Sequence, residues 1–383
     1  MARPRRLIGE SEEAAMLALL RNQAMRGQGR AAAAWVAAGP GRAVLAGALL
    51  TLAGLSAFTL YETAWLGLPI AREEPAVFDL YHLVRSAFTF LACGLLVAAL
   101  VRARARPCGL DRDLSRPSSL LAGAAAFGAA LAAAALFAVD PSAFHLHAQE
   151  DRPLEWASAG LLFLAGGLLA LDALRRSRAG AGRSHLPFLL AAGLALALLV
   201  MAMEEISWGQ RLFGFATPER LAEANWQGEF NFHNLQTDLS ETVYFFGASI
   251  FLILLPLLRD LVPPALARQR LFDFVPRRSV ALVGAPLALF NYGHWNLLPV
   301  QLGTMLALFV MLAFAAAARR RRDRVEAAAF GLAAVAVAAG EALFLVLGPA
   351  MTELPDATEY KELFIALGFA WYAFTVARRR SLG

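Results

Sequence analysis

Residues 186–235 read LPFLLAAGLALALLVMAMEEISWGQRLFGFATPERLAEANWQGEFNFHNL. An apolar run ends abruptly at Glu204 and gives way to the densest polar chemistry in the chain. The run 186–203 holds no ionisable residue, and its length approaches the roughly 20 residues that a helix needs to cross the hydrocarbon core of a bilayer. The polar block 203–235 then packs together adjacent carboxylates (Glu204, Glu205), two tryptophans, two arginines, His233 and several amides. The run sets the fold class, and the block marks where chemistry is to be sought.

The rest of the chain repeats the first half of that pattern. Hydrophobic residues make up 58% of the 383 and charged residues 17%, with a mean hydropathy of +0.54, which sets the chain apart from soluble domains. Apolar runs lie near 43–60, 82–101, 119–139, 154–174, 186–203, 242–258, 280–290, 298–317, 325–347 and 363–377. They predict an all-α, polytopic transmembrane helical bundle of about ten spans. The run 280–290 is short and reads equally as a tilted or re-entrant segment. Residues 43–378 form a single transmembrane domain, because the longest connection, 204–240, is too short for a core of its own. Residues 1–42 carry Ser11 ahead of Glu12 and Glu13, then an apolar side from Met16 to Leu20. That pattern fits a cytoplasmic amphipathic segment, or a frayed tail.

The net charge of +5 comes from 35 basic residues, of which only Lys361 is a lysine. The arginines fall in short clusters between apolar runs: Arg102 to Arg106, Arg175 to Arg178, Arg268 to Arg278, Arg319 to Arg322 and Arg378 to Arg380. Clusters of this kind mark cytoplasmic loops rather than a nucleic-acid surface. They alternate with connections rich in acids, histidines and aromatics, so both termini are expected inside and the 204–240 loop outside. Cys93 and Cys108 form no disulfide or zinc spacing.

Polar residues near the outer ends of the runs suggest a shared crater. Glu62, Asp79, His82 and Arg85 sit at or just inside the outer ends of the first two runs, Glu204 and Glu205 end the fifth, Asn291, His294 and Asn296 follow the seventh, and Gln301 enters the eighth. Glu341 lies inside the ninth, with Arg85 as its natural partner by depth, and Glu353 comes shortly after it. Helical spacing would place Glu204, Ser207, Trp208 and Arg211 on one face, letting one carboxylate pair with Arg211 while the other titrates. In 229–234, polar and aromatic residues alternate, so Glu229 is placed to steer His233. The bland alternative is a solvated loop whose aromatics anchor it at the interface.

The expected catalytic set is therefore Glu204, Glu205, Arg211, Glu229 and His233. Trp208, Gln210, Asn231, Asn234, His294, Arg85 and Glu341 would bind substrate, with Trp226 and Trp295 along the groove. A divalent metal on Asp79, His82, His233 and His294 is a minor alternative, and the cofactor is otherwise open.

The block EEISWGQRLFGFATPE, continued by NWQGEFNFHNL, resembles one found in uncharacterised bacterial multi-pass membrane proteins without an assigned activity. The resemblance rests on Glu204, Glu205, Trp208, Gly209, Gln210, Arg211, Glu229, Asn231, His233 and Asn234. It implies a bacterial inner-membrane protein. A looser similarity to membrane hydrolases of the alkaline ceramidase type lacks their HxxxH pattern. Lipid-linked sugar transferases use acids in the first outer loop, where Glu62, Glu73 and Glu74 lie. The leading expectation is an enzyme, hydrolase or transferase, acting on a lipid or lipid-linked substrate. The alternatives are a transporter using the crater as half of its access path and a non-catalytic envelope scaffold. The lipid bilayer is the one expected partner; protein partners are left open.

Overall fold

The computed structural model describes residues 39–67, 78–102, 114, 116–149, 152–178, 185–225, 227–262, 269–291, 298–347 and 357–378. The expected N-terminal amphipathic helix lies outside these residues, as do Glu73, Glu74, Cys108, Trp226, His294, Trp295, Asn296 and Glu353. The described residues are all helix and connection, with no strand.

Long helices run over α1 (Gly39–Trp65), α2 (Leu80–Arg102), α3 (Pro117–Val139), α5 (Pro153–Arg178) and α6 (Leu186–Glu205). The short α4 (Pro141–His147) comes after α3, capped by the Asp140 carboxylate on the Ala143 amide. The polar block adds α7 (Gln210–Phe213) and α8 (Glu219–Ala224). Next come α9 (Thr237–Ser249), a π-turn at Ile250–Leu254, and α10 (Leu255–Leu261). The chain finishes with α11 (Arg278–Gly284), α12 (Leu298–Arg320), α13 (Arg324–Leu347) and α14 (Thr358–Arg378).

Eight helical stretches among the described residues are long and apolar enough to cross a membrane: α1, α2, α3, α5, α6, α12, α13 and the continuous Leu239–Leu261 formed by α9, the π-turn and α10. The two remaining runs of the sequence behave differently. Helix α14 has the length of a span, but Glu359, Lys361 and Glu362 load its first turns. The run near 280–290 is a short centrepiece. Every residue of Arg278–Phe290 is buried, and the α-helix gives way at Gly284 to a 3-10 stretch, Ala285–Phe290, whose second residue is Pro286. Proline has no amide hydrogen for the helical ladder and crowds the preceding turn.

This centrepiece is why so apolar a run need not meet lipid. Helices α3, α13 and α14 and the π-turn pack around it. Leu252 of the π-turn lies against both Gly284 and Gly368, where a Cβ on Gly368 would stand 2.7 Å from Leu252 Cδ1 and 3.2 Å from the Gly284 Cα. Phe290 stacks on Tyr360 and Phe364, with ring centroids 5.6 and 5.4 Å away. Aromatic contacts of this kind add about 0.5–1.5 kcal/mol each beyond area burial.

Helices α5 and α6 meet along a seam of small residues, including Ala165, Gly166, Ala191 and Ala195. Close approach of backbones is how helices associate where lipid removes the hydrophobic drive. At Gly166 a Cβ would lie 2.6 Å from Leu199 Cγ and 3.2 Å from the Ala195 carbonyl oxygen, whereas the neighbouring Gly167 has nothing within 4 Å. Gly166→Ala is therefore expected to lower stability by about 1–3 kcal/mol through overpacking. Gly167→Ala should be neutral or slightly stabilising, because alanine favours helix. Thermal unfolding of the two variants in detergent checks the contrast.

The ends of the bundle differ. On the arginine-rich side, the buried Asp172 carboxylate of α5 pairs with Arg176 one turn on. The structure adds a buried network there. Arg278 Nε donates to Asp260 Oδ2 at 2.6 Å and its Nη1 to Glu326 Oε1 at 2.8 Å, and Arg321 Nη2 also reaches Glu326 at 2.8 Å. These arginines are structural partners as well as loop charges.

Candidate functional site

At the other end, α6 stops at Glu205 in an unusual way. Ser207, Trp208 and Gly209 all take positive φ, at 45°, 54° and 79°. Two successive non-glycine residues in this region are uncommon, each costing of order 1–3 kcal/mol unless its surroundings fix it. Here they are fixed. The Ser207 hydroxyl donates to the Glu229 carboxylate and accepts from Asn231 Nδ2 at 3.2 Å. The Trp208 indole Nε1 donates to Glu204 Oε1 at 2.5 Å.

The left-handed turn overturns the single-face expectation for 204–211. Arg211 turns from the Glu204–Glu205 pair to Glu229, with half of its side chain exposed. Glu229 is accordingly engaged with Ser207 and Arg211 rather than with the imidazole. Glu204 takes the imidazole instead. Its Oε2 accepts the backbone amides of Phe232 at 2.7 Å and His233 at 3.0 Å, and lies 3.3 Å from His233 Nδ1.

The amides of the block brace this loop. Asn225, which caps the end of α8, sends its Nδ2 to Asn231 Oδ1 at 2.7 Å and to the Asn231 carbonyl at 3.0 Å. Gln210 accepts the Phe230 amide at 2.8 Å and donates to Thr217 Oγ1 at 2.7 Å. Asn234 donates to Gln227. Gln210, Asn231 and Asn234 thus direct these bonds into the loop rather than outward. Thr217, whose residue type suits a helix cap, instead accepts from Gln210 through its hydroxyl oxygen, and Pro218 holds the cap position of α8. Gly228 has φ 69°, a conformation natural to glycine.

The other anticipated residues lie in separate groups. Arg85 and Glu62 form a buried ion pair between α2 and α1, so Arg85 is not the partner of Glu341. His82 Nδ1 meets Asp79 Oδ1 at 2.7 Å, and the His82 amide, together with its ring, holds the Asp79 carboxyl below the usual range. Gln301, fully buried, donates to Ser86 at 3.1 Å, while Asn291 donates to Thr304 at 2.7 Å. Among the described residues no three His, Cys, Asp or Glu side chains are placed to share a metal ion. Of the four candidate ligands, His294 lies outside the described residues.

Glu205 points away from Glu204 into the helices. It accepts from Ser158 Oγ at 3.2 Å, and it stands in a group that sequence reading missed: Glu241 and Tyr244 of α9 and Glu359, Lys361 and Glu362 of α14. A signal was present, since the chain's one lysine sits between acids at the head of an otherwise apolar run.

His233 is the residue with the clearest chemical opportunity. Its Nδ1 side faces a carboxylate fixed by an indole and two backbone amides, and its side chain is 39% exposed. A carboxylate on Nδ1 favours the tautomer that leaves Nε2 as an acceptor. Phe232, 53% exposed, meets Trp208 edge-on at 6.4 Å, an aromatic pair at the mouth of the site. Compared with known proteins, the chain matches no family model, no curated protein and no solved structure.

Proposed function

We propose that this chain is an enzyme of a bacterial inner membrane, a hydrolase or transferase acting on a lipid or lipid-linked substrate at the extracytoplasmic face. The observation that carries the reading is the His233–Glu204 pair, braced on its carboxylate side and exposed on its imidazole side. In this reading His233 Nε2 removes a proton from water or an acceptor hydroxyl and returns it to the leaving group. Glu204 positions the ring. Arg211, held by Glu229 but half exposed, attracts an anionic head group, for which guanidinium geometry is well suited. Trp208 and Phe232 suit the interfacial level at which a lipid would present its polar part.

The alternation of arginine clusters with acidic connections supports about ten crossings with both termini inside. The tenth would be α14, and the Arg278–Phe290 segment would be the seventh, enclosed by protein.

The test compares membranes from cells carrying wild type, His233→Gln or no copy of the chain, by mass spectrometry of lipids and lipid-linked glycans. Loss of a general base lowers turnover about 10²–10⁴-fold, so the His233→Gln profile should match that of cells lacking the chain. A His233→Gln profile identical to wild type, with wild type differing from cells lacking the chain, would remove the enzymatic role of His233.

A further inference from the structure

A second polar group is buried deeper, and none of the roles assigned to the His233 site uses its innermost member. Glu341 of α13 is 4% exposed, and among the described residues neither of its carboxylate oxygens has a hydrogen-bond partner. The cation whose field reaches it is Lys361 of α14. Lys361 is fully buried, with Nζ 3.7 Å from the centre of the Phe245 ring. Glu362, next along the chain, lies in the field of Lys361, Glu205, Glu359 and Glu241. The buried Tyr244 hydroxyl has no hydrogen-bond partner among the described residues and feels Glu205, Glu362 and Glu359. The titratable groups gathered here therefore come from α6 (Glu205), α9 (Glu241, Tyr244), α13 (Glu341) and α14 (Glu359, Lys361, Glu362).

A structural ion pair would look different. Buried carboxylates that stay ionised are hydrogen-bonded to their cation, because an unsolvated charge costs several kcal/mol. Glu341 lacks such a bond while the ammonium of Lys361 faces an aromatic ring. Nor, among the described residues, do these acids form a metal cage. A carboxyl with no hydrogen-bond partner, in the field of a buried amine that itself acts on Glu362, is suited to gaining and losing a proton.

We propose that Glu341, within the field of Lys361, is a proton-binding site inside the bundle, filled from the polar end by way of Glu362 and Glu205. Hydronium gives its proton to the Glu341 carboxylate and leaves as water; release runs in reverse. The site stands whichever reaction His233 performs.

The test uses the full chain in lipid nanodiscs treated with dicyclohexylcarbodiimide. This reagent forms a stable N-acylurea on a protonated carboxyl in apolar surroundings, and peptide mass spectrometry maps the adduct to a residue. Wild type should be labelled at Glu341 at acid pH, falling at least several-fold as pH rises. Lys361→Met should hold the label to higher pH, because removing a neighbouring cation disfavours the carboxylate. Glu341→Gln should lose only that adduct. No label on Glu341 at any pH means a fixed ion pair and overturns the proposal. Equal labelling at every pH means a permanently neutral acid and overturns it as well. The wild-type series decides this even if a variant fails to fold.

Discussion

Arg278→Ala is expected to lower stability by about 3–5 kcal/mol, the range for breaking a buried ion pair from one side. Arg278 is 2% exposed and holds Asp260 and Glu326 at once, themselves 7% and 8% exposed. Removing the guanidinium leaves two buried carboxylates facing one vacated space, with Arg321 still on Glu326. The loss also frees the start of α11, the centrepiece around which α3, α13 and α14 pack. The triple change Arg278→Met, Asp260→Leu, Glu326→Leu should recover most of the loss, because apolar residues of similar volume remove the desolvation cost along with the attraction. Denaturation midpoints in detergent read both outcomes. A single variant as stable as wild type would show that the network contributes little.

Glu204→Ala is the second large effect, and it falls on the site. One carboxylate receives the Trp208 indole, two backbone amides and the His233 ring. Hydrogen bonds to a charged acceptor contribute about 1.5–3 kcal/mol each, so the loop 230–234 loses its main hold on α6. The expectation is loss of any His233-dependent activity to the level of His233→Gln, with backbone amide exchange of Phe232 and His233 much faster while α5 and α6 stay protected. Glu204→Gln should fall between, since an amide offers one acceptor oxygen where the carboxylate offers two. Glu229→Gln should act mainly through Arg211 and Ser207 and leave His233 held. Equal damage from Glu204 and Glu229 variants would contradict that division.

The apolar runs are readable because hydrocarbon imposes a length and excludes charge. The run 186–203 becomes Leu186–Glu205, and 325–347 becomes Arg324–Leu347. The segment 280–290 reads as a short crossing because periodicity cannot tell lipid from protein neighbours, and only the packing shows it enclosed by protein. The gathering of Glu204, Trp208, Arg211, Glu229 and His233 is also legible, as a dense polar stretch in an apolar chain. Their pairing is not. It depends on Ser207 and Trp208 adopting left-handed backbone, which residue type does not signal outside glycine and asparagine. The Arg278 network joins residues 18 and 48 positions apart, a separation that local spacing rules do not reach. Lys361 stands out in composition, yet only the fold brings it near Glu341.

The hold of Glu204 on His233 is most directly measured by nitrogen NMR of histidine-labelled protein in nanodiscs, with His233→Gln used to assign the resonance. In spectra taken at alkaline pH the expected result is a single tautomer with the proton on Nδ1, which gives way to a mixture of tautomers in Glu204→Gln. A His233 signal already mixed in wild type, and unchanged by Glu204→Gln, would contradict the pairing on which the proposed chemistry stands.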